Sequence, residues 1–387
     1  LHGSVPIFPR FANHKRGDDM KDERAHLQLF DLIARDWQLD SPVQQICFNA
    51  DISAVAFACA DGSVHLAATA DKASPTQRTR RAIDTGRLTI AARDKAFLPL
   101  KLAGFTEGRS SDVVAFGAQG FAFAKTSGRI NALSAGGIAY HIPPRAVAAI
   151  QVLAASPDGS TLAYASGAQL YVATAETTAP QMVALPDNIS ALAFSPDGLT
   201  LAVAHGNTVS RMPLLDLNSP PVVTELAEAA TALQWHPDGA WLACKVAVDG
   251  FYLIETARNH LLHRNKFPAA VQSLGFGPTT NTVVASGAFR VAAWALADSR
   301  DVMTGKSGLV LVNAIATCPT RNLVAVGYGN GLLSLAEIGQ PSEILLREDT
   351  GAGITAMVWS QDGKYLALAG TDGSAALVEF PDAMFKF

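Results

Sequence analysis

Residue types able to do chemistry are sparse in this chain and fall into four groupings. An Asp recurs in short polar turns, spelled Ser-Pro-Asp-Gly from Ser156 and Ser195, His-Pro-Asp-Gly from His236 and Ser-Gln-Asp-Gly from Ser360. A carboxylate beside Ser or His invites an acid–base reading. Turn chemistry accounts for it better: Ser and Asp bond their own backbone, Pro presets φ, and Gly accepts positive φ. The four cysteines, Cys47, Cys59, Cys244 and Cys318, form no Cys-x-x-Cys pair and have no His at zinc spacing, so they read as reduced, buried, small hydrophobes. The string Thr-Gly-Lys-Ser-Gly from Thr304 lacks the upstream Gly of a phosphate-binding loop and reads as a plain loop. The fourth grouping is basic. Residues 71–97 carry Lys72, Arg78, Arg80, Arg81, Arg87, Arg93 and Lys95 against Asp71, Asp84 and Asp94, an excess of four. Such a segment can grip an acidic partner or simply face solvent. No aromatics interleave the arginines, which argues against single-stranded nucleic acid.

The elements that must position these residues come from the recurrence of the turn. Its marker stands at Asp158, Asp197, Asp238, Thr279, Thr320 and Asp362, in steps of 39, 41, 41, 41 and 42 residues. Around each marker an apolar strand, a polar turn, a second apolar strand and a Gly-containing turn follow in order. The second turn is Asp-Gly or Asn-Gly at Asp61, Asp249, Asn330 and Asp372, the residues of tight hairpins. Several short strands per unit of about 40 residues predict a β-propeller blade. Two further copies lie upstream, one from Val43 and a degenerate one from Leu100, where Phe-Gly-Ala-Gln-Gly at Phe116 matches Ser-Gly-Ala-Gln at Ser166. That makes eight units, or seven if the degenerate copy is not a full blade. The last unit supplies three strands. The apolar segment Leu27–Trp37 is expected to pair onto it as the missing outer strand; a short amphipathic helix lying on the ring is the other reading of its spacing.

With its aromatic or aliphatic residue followed by Ser-Pro-Asp-Gly-x-x-Leu-Ala, the chain resembles the WD-repeat and WD-like β-propeller family over roughly residues 43–387. It departs from that family by lacking the Gly-His and Trp-Asp pairs; only Trp294 stands where such a Trp would, and Ala295 follows it. The resemblance implies a rigid platform for protein partners without catalysis. It does not carry over the family's Asp–His–Ser/Thr–Trp hydrogen-bond network.

Composition sets the frame. The 387 residues are 49% hydrophobic and 17% charged, with a net charge of −4. Such a chain buries much surface, is not disordered and shows no basic excess for nucleic acid or anionic membranes. The N-terminal residues have no secretory apolar run, and no apolar stretch of about 18 residues occurs.

In a propeller the first strand of each blade lines the channel. Assigned as Val43–Phe48, Leu100–Phe105, Ile150–Ala155, Ile189–Phe194, Ala230–Trp235, Val271–Phe276, Val312–Thr317 and Ile354–Trp359, those strands contain no Asp, Glu or His, with Lys101 the only charge. Hydrolytic or metal-dependent chemistry needs such groups. Their amides, Gln44, Gln45, Gln151, Gln234, Gln272 and Asn313, are expected to face channel water. The remaining candidates are positional, one per second turn: Phe116, Ser166, His205, Lys245, Arg290, Tyr328 and Asp372, with His141 and Arg145 as additions from a connector. Loops on a rigid scaffold commonly carry binding.

The expectation is therefore a single all-β, closed β-propeller of four-stranded blades, eight in number, over residues 26–387, with a basic insertion at 71–97 and a flexible arm at 1–25. Its expected function is a non-catalytic cytoplasmic scaffold that binds one or more proteins. Contacts are placed at His205, Lys245, Arg290, Tyr328 and Asp372 and at Arg78, Arg80 and Arg81, with no cofactor or metal and neither nucleic acid nor membrane as partner. The alternative is a small-ligand-binding or hydrolytic propeller in which the turn-face residues converge on the channel mouth.

Overall fold

The structure, a computed structural model, describes residues 27–84, 88–103, 109, 111–117, 119–142, 149–174, 179–248 and 250–385. The arm expected at 1–25 lies outside them. Each polar turn is built by its own side chains. Ser156 Oγ donates to Asp158 at 2.5 Å and accepts from the Thr161 amide at 2.9 Å, while Asp158 accepts from the Ser160 amide at 3.0 Å. Ser195–Asp197 and Ser360–Asp362 repeat the geometry, and His236 replaces Ser against Asp238 at 2.6 Å. Gly159, with φ +69°, supplies the left-handed residue that closes the turn.

These turns connect antiparallel sheets into eight blades. The fourth runs Ile189–Phe194, Thr200–His205, Thr208–Pro213 and Val222–Glu225 from channel to rim. Second strands are buried on both faces, since each blade packs on two neighbours; Ala54–Cys59 and Tyr365–Gly370 are buried at every position. That double burial is why the chain is so rich in apolar residues. Between the fourth and fifth blades, Ala202, Ala204, Cys244 and Tyr252 share one core.

The ring closes as expected, on a shorter strand. Ala34–Gln38 pairs antiparallel with Ser374–Glu379, Ala34 opposite Val378, and becomes the outer strand of the eighth blade. The preceding Leu29–Ile33 is a helical turn that buries Phe30 and Ile33. Both readings of Leu27–Trp37 are thus realised, one in each half.

Two expectations are corrected. The degenerate unit was placed one strand out of register: Lys101–Leu102 is the outer strand of the first blade, and the second blade begins at Val114–Phe116. The turn after Phe116 therefore lies on the Asp158 side of the ring, where the Gly117 amide donates to Gly159 O at 3.0 Å. The sixth blade has three strands, with a bridge from Trp294 to Asp301 where a fourth would lie. The basic insertion forms a helical turn, Pro75–Arg78, and a separate hairpin, Thr79–Arg81 with Leu88–Ile90. It folds back on the closing strand. Trp37 Nε1 donates to Leu98 O at 3.0 Å, Arg93 grips Asp71 beside Arg35, and Thr76 bonds Glu379 at 2.9 Å.

Candidate binding face

The strand register decides which groups share a face. Val43 stands opposite Cys59, Ile189 opposite His205, Val312 opposite Tyr328 and Ile354 opposite Gly370. Inner strands therefore start where second strands end. The second turns and one mouth of the channel lie together.

A cavity of about 360 Å³ opens at this mouth, lined by Gln44, Asp61, Arg109, Asp112, Gln151 and Ser190 among others. Arg109 is fixed by carbonyls, donating to Ser111 O at 2.8 Å and Cys59 O at 2.9 Å. Asp112 lines the open space. Water reaches it, yet the surrounding protein pushes its carboxyl above the usual carboxylate range, against the pull of Arg109 and Lys245. Burial likewise lowers the Lys245 ammonium, with Asp112 opposing.

Several channel-strand polar groups stitch neighbouring blades instead of facing water. Gln45 donates to Val113 O at 3.0 Å and accepts from the Val113 amide at 2.6 Å. Ser190 donates to Ala230 O at 2.6 Å, and Thr355 to Val43 O at 3.4 Å across the closing seam. Gln151 instead accepts from the Gly167 amide of its own blade at 3.0 Å.

The predicted turn-face residues do not converge on the cavity; none of the five lines it. His205 is buried, with Nε2 at 2.9 Å from Ser210 Oγ, and burial lowers its pKa. Tyr328 is buried too, its hydroxyl donating to both Glu343 oxygens at 2.9 and 3.0 Å; burial and that carboxylate push its pKa up. Neither presents its functional group to a partner, because each is spent on a blade-internal bond. Lys245 is half-buried and donates to Gln272 O at 3.3 Å. Arg290 and Asp372 are exposed. Burial raises the Asp372 carboxyl, but the Ser374 hydroxyl and amide outweigh it and hold the pKa low. Phe116 is on the other side of the ring, His141 is in the outer strand Ala139–Ile142 opposite Asn131, and Arg145 lies outside the described residues.

On the insertion, Arg78 is structural: it donates to Ala73 O at 2.9 Å, to Leu32 O at 2.6 Å and to Ala91 O. Arg80 and Arg81 are exposed on the hairpin. Asp112 escaped the sequence reading because the register error hid it. The polar start of Ser-Asp-Val-Val-Ala-Phe, resembling Val-Gln-Gln-Ile-Cys-Phe, was the available signal. The four cysteines are free, and no group of His, Cys, Asp and Glu among the described residues could hold a metal ion. No helix among them is long and apolar enough to cross a membrane.

Residues 343–377 match the model of the WD domain, G-beta repeat. No curated protein sequence matches the chain. Among solved structures, the computationally designed Ika8 protein is similar at a TM-score of 0.63 and 17% identity, over 91% of this chain and 100% of that one. A chain in the crystal structure of a mitotic checkpoint complex is similar at 0.52 and 15%, over 67% of this chain and 87% of that one. At these identities the likeness is one of fold. The eight-bladed ring is the arrangement of a β-propeller, and residues 343–377, which span parts of its last two blades, are similar to the WD repeat.

Proposed function

We propose that this chain is a non-catalytic, cytoplasmic protein-interaction scaffold that recognises partners on the face carrying the second turns. The observation that supports it best is the dispersal of the exposed candidates. Arg290 on the sixth blade and Asp372 on the eighth stand apart on the rim, held by turns of a closed ring and not gathered around one reacting centre. A rigid ring presents such loops with little ordering cost on binding. A similar fold also occurs inside the mitotic checkpoint complex, a multi-protein assembly. The hairpin arginines Arg80 and Arg81 form a second contact region.

The test is affinity purification of the tagged protein from its native cytoplasm, with a parallel bait carrying Arg80→Ala and Arg81→Ala. A stoichiometric protein on the first bait is the expected result. Its loss from the second assigns the contact to the hairpin, and its retention assigns it to the turn face. Recovery of a small molecule with no protein overturns the reading.

One observation favours a second reading, small-ligand binding at the channel mouth: Asp112 faces a polar cavity with Arg109 beside it. Mass spectrometry of the native purified protein under non-denaturing conditions, with and without Asp112→Asn, tests it.

A further inference from the structure

The turn face is not uniform. Exposed acidic residues stand at Asp40 and Asp61 on the first blade, at Asp372 on the eighth, at Asp187 in the loop into the fourth, and at Asp349 in the loop from the seventh to the eighth, where it accepts from Asn330. The sixth blade and the loop into the seventh carry a different surface. Phe289, in the second turn of the sixth blade, is 43% exposed, and Leu309, in the loop leading into the seventh, is 96% exposed. The two loops form one pinned surface, since the Gly308 amide donates to Phe289 O at 3.0 Å and the Val312 amide to Ala288 O at 2.9 Å. Val248, in the matching turn of the fifth blade, is 76% exposed. Arg290 and Lys306 flank the apolar pair, both exposed, and neither side chain has an ion pair or hydrogen bond among the described residues.

We propose that the sector formed by the sixth and seventh blades docks a short partner-protein segment in which an apolar side chain is flanked by acidic residues. This deepens the scaffold reading and rests on it. The occupant follows from complementarity. Phe289 and Leu309 offer an apolar contact whose backbone is already ordered, and Phe and Arg are enriched in the energetic centres of interfaces. Two cations beside it select carboxylates, and the acidic residues elsewhere on the face repel them, so the segment is steered to Phe289 and Leu309. A broad anionic surface, such as a membrane or a nucleic acid, would have to meet Asp40, Asp61, Asp187 and Asp372 as well. A short segment avoids them.

The experiment is site-specific photo-crosslinking with the full chain in its native cytoplasm. Leu309→p-benzoylphenylalanine probes the sector, Asp372→p-benzoylphenylalanine the eighth blade and Leu215→p-benzoylphenylalanine the opposite face, with the captured peptides sequenced by mass spectrometry. The expected result is capture from position 309 of a segment with net negative charge, reduced about tenfold when Arg290→Glu and Lys306→Glu are added. Circular dichroism and an unchanged melting temperature establish that this double variant is folded. A neutral or basic captured segment, or capture indifferent to the charge reversal, overturns the proposal. Capture from position 372 but not 309 overturns it while leaving the scaffold reading intact. No protein captured from any of the three positions overturns both.

Discussion

Arg78 Nη2 donates to the carbonyl oxygen of Leu32 at 2.6 Å, so the insertion between the third and outer strands of the first blade holds the helical turn that leads into the ring-closing strand. The contact joins residues 46 positions apart, and it lies where a propeller is weakest: the only blade assembled from both ends of the ring.

Arg78→Ala is therefore expected to loosen the seam. It removes charge-assisted bonds to three carbonyls, and we expect a loss of about 2 kcal/mol in urea unfolding. Amide hydrogen exchange at Ala34–Gln38 should accelerate more than exchange in the fourth blade. Arg80→Ala and Arg81→Ala, exposed on the same hairpin, should change stability by less than about 0.5 kcal/mol. Equal effects from all three would show that the hairpin, not the clamp, carries the stabilisation.

Asp71 sits between Arg93 and Arg35 in the same seam. Burial raises its carboxyl, but the bond from Arg93 and the two positive charges outweigh this and hold the pKa below its ordinary value. A carboxylate depressed in the folded state contributes stability that is complete above its unfolded pKa and disappears as pH falls through its folded value. Asp71→Asn leaves two largely buried cations uncompensated and should cost about 3 kcal/mol at neutral pH. The difference from the parent should shrink below about pH 4, as seen in unfolding midpoints measured between neutral and acidic pH.

Ser360 is fully buried; it donates to Asp362 at 2.5 Å and accepts from the Tyr365 amide at 2.9 Å. Ser360→Ala orphans that amide and should cost about 1–2 kcal/mol. In the equivalent turn, bonds from Ser156 and Ser160 lower the Asp158 carboxyl to about 2. The Asp158 turn should therefore hold until pH falls well below the usual carboxylate range. Amide exchange at Ser160 and Thr161, mapped at successively lower pH, checks this.

How much of this was legible depended on the range of the interaction. The Asp158-to-Asp362 period is local and repeated, so the blades, their number and the closure could be read. The tripeptide Gly-Ala-Gln misled because it occurs after Phe116 and after Ser166 in different hairpins of their blades. A tight turn records only its own four residues, not which strands it joins. At Ala34 the helical turn gives way to a strand, a switch imposed by the partner Val378 from the far end of the chain. The burial of Tyr328 follows from Glu343, and that of His205 from its blade core; neither partner is marked in the residue itself. Arg290 and Asp372 are exposed, with no comparable buried partner within their own blades among the described residues.

Asp112 yields the last prediction. Its carboxyl is raised because the protein around the open mouth disfavours the charge although water reaches it, and Arg109 and Lys245 do not offset this. A raised carboxylate acts against folding at neutral pH: the folded state resists ionisation that the unfolded chain accepts freely. Asp112→Asn should therefore raise the melting temperature at pH 7, and the gap should close as pH falls below about 4, where the unfolded carboxyl is protonated as well. If the variant instead melts lower at neutral pH, the carboxylate is paired with Arg109 or Lys245 in solution and the mouth is a structural ion pair. If it melts higher, a charge that opposes folding is kept at a cavity of this face, and a cationic group entering the channel is what would make that charge favourable.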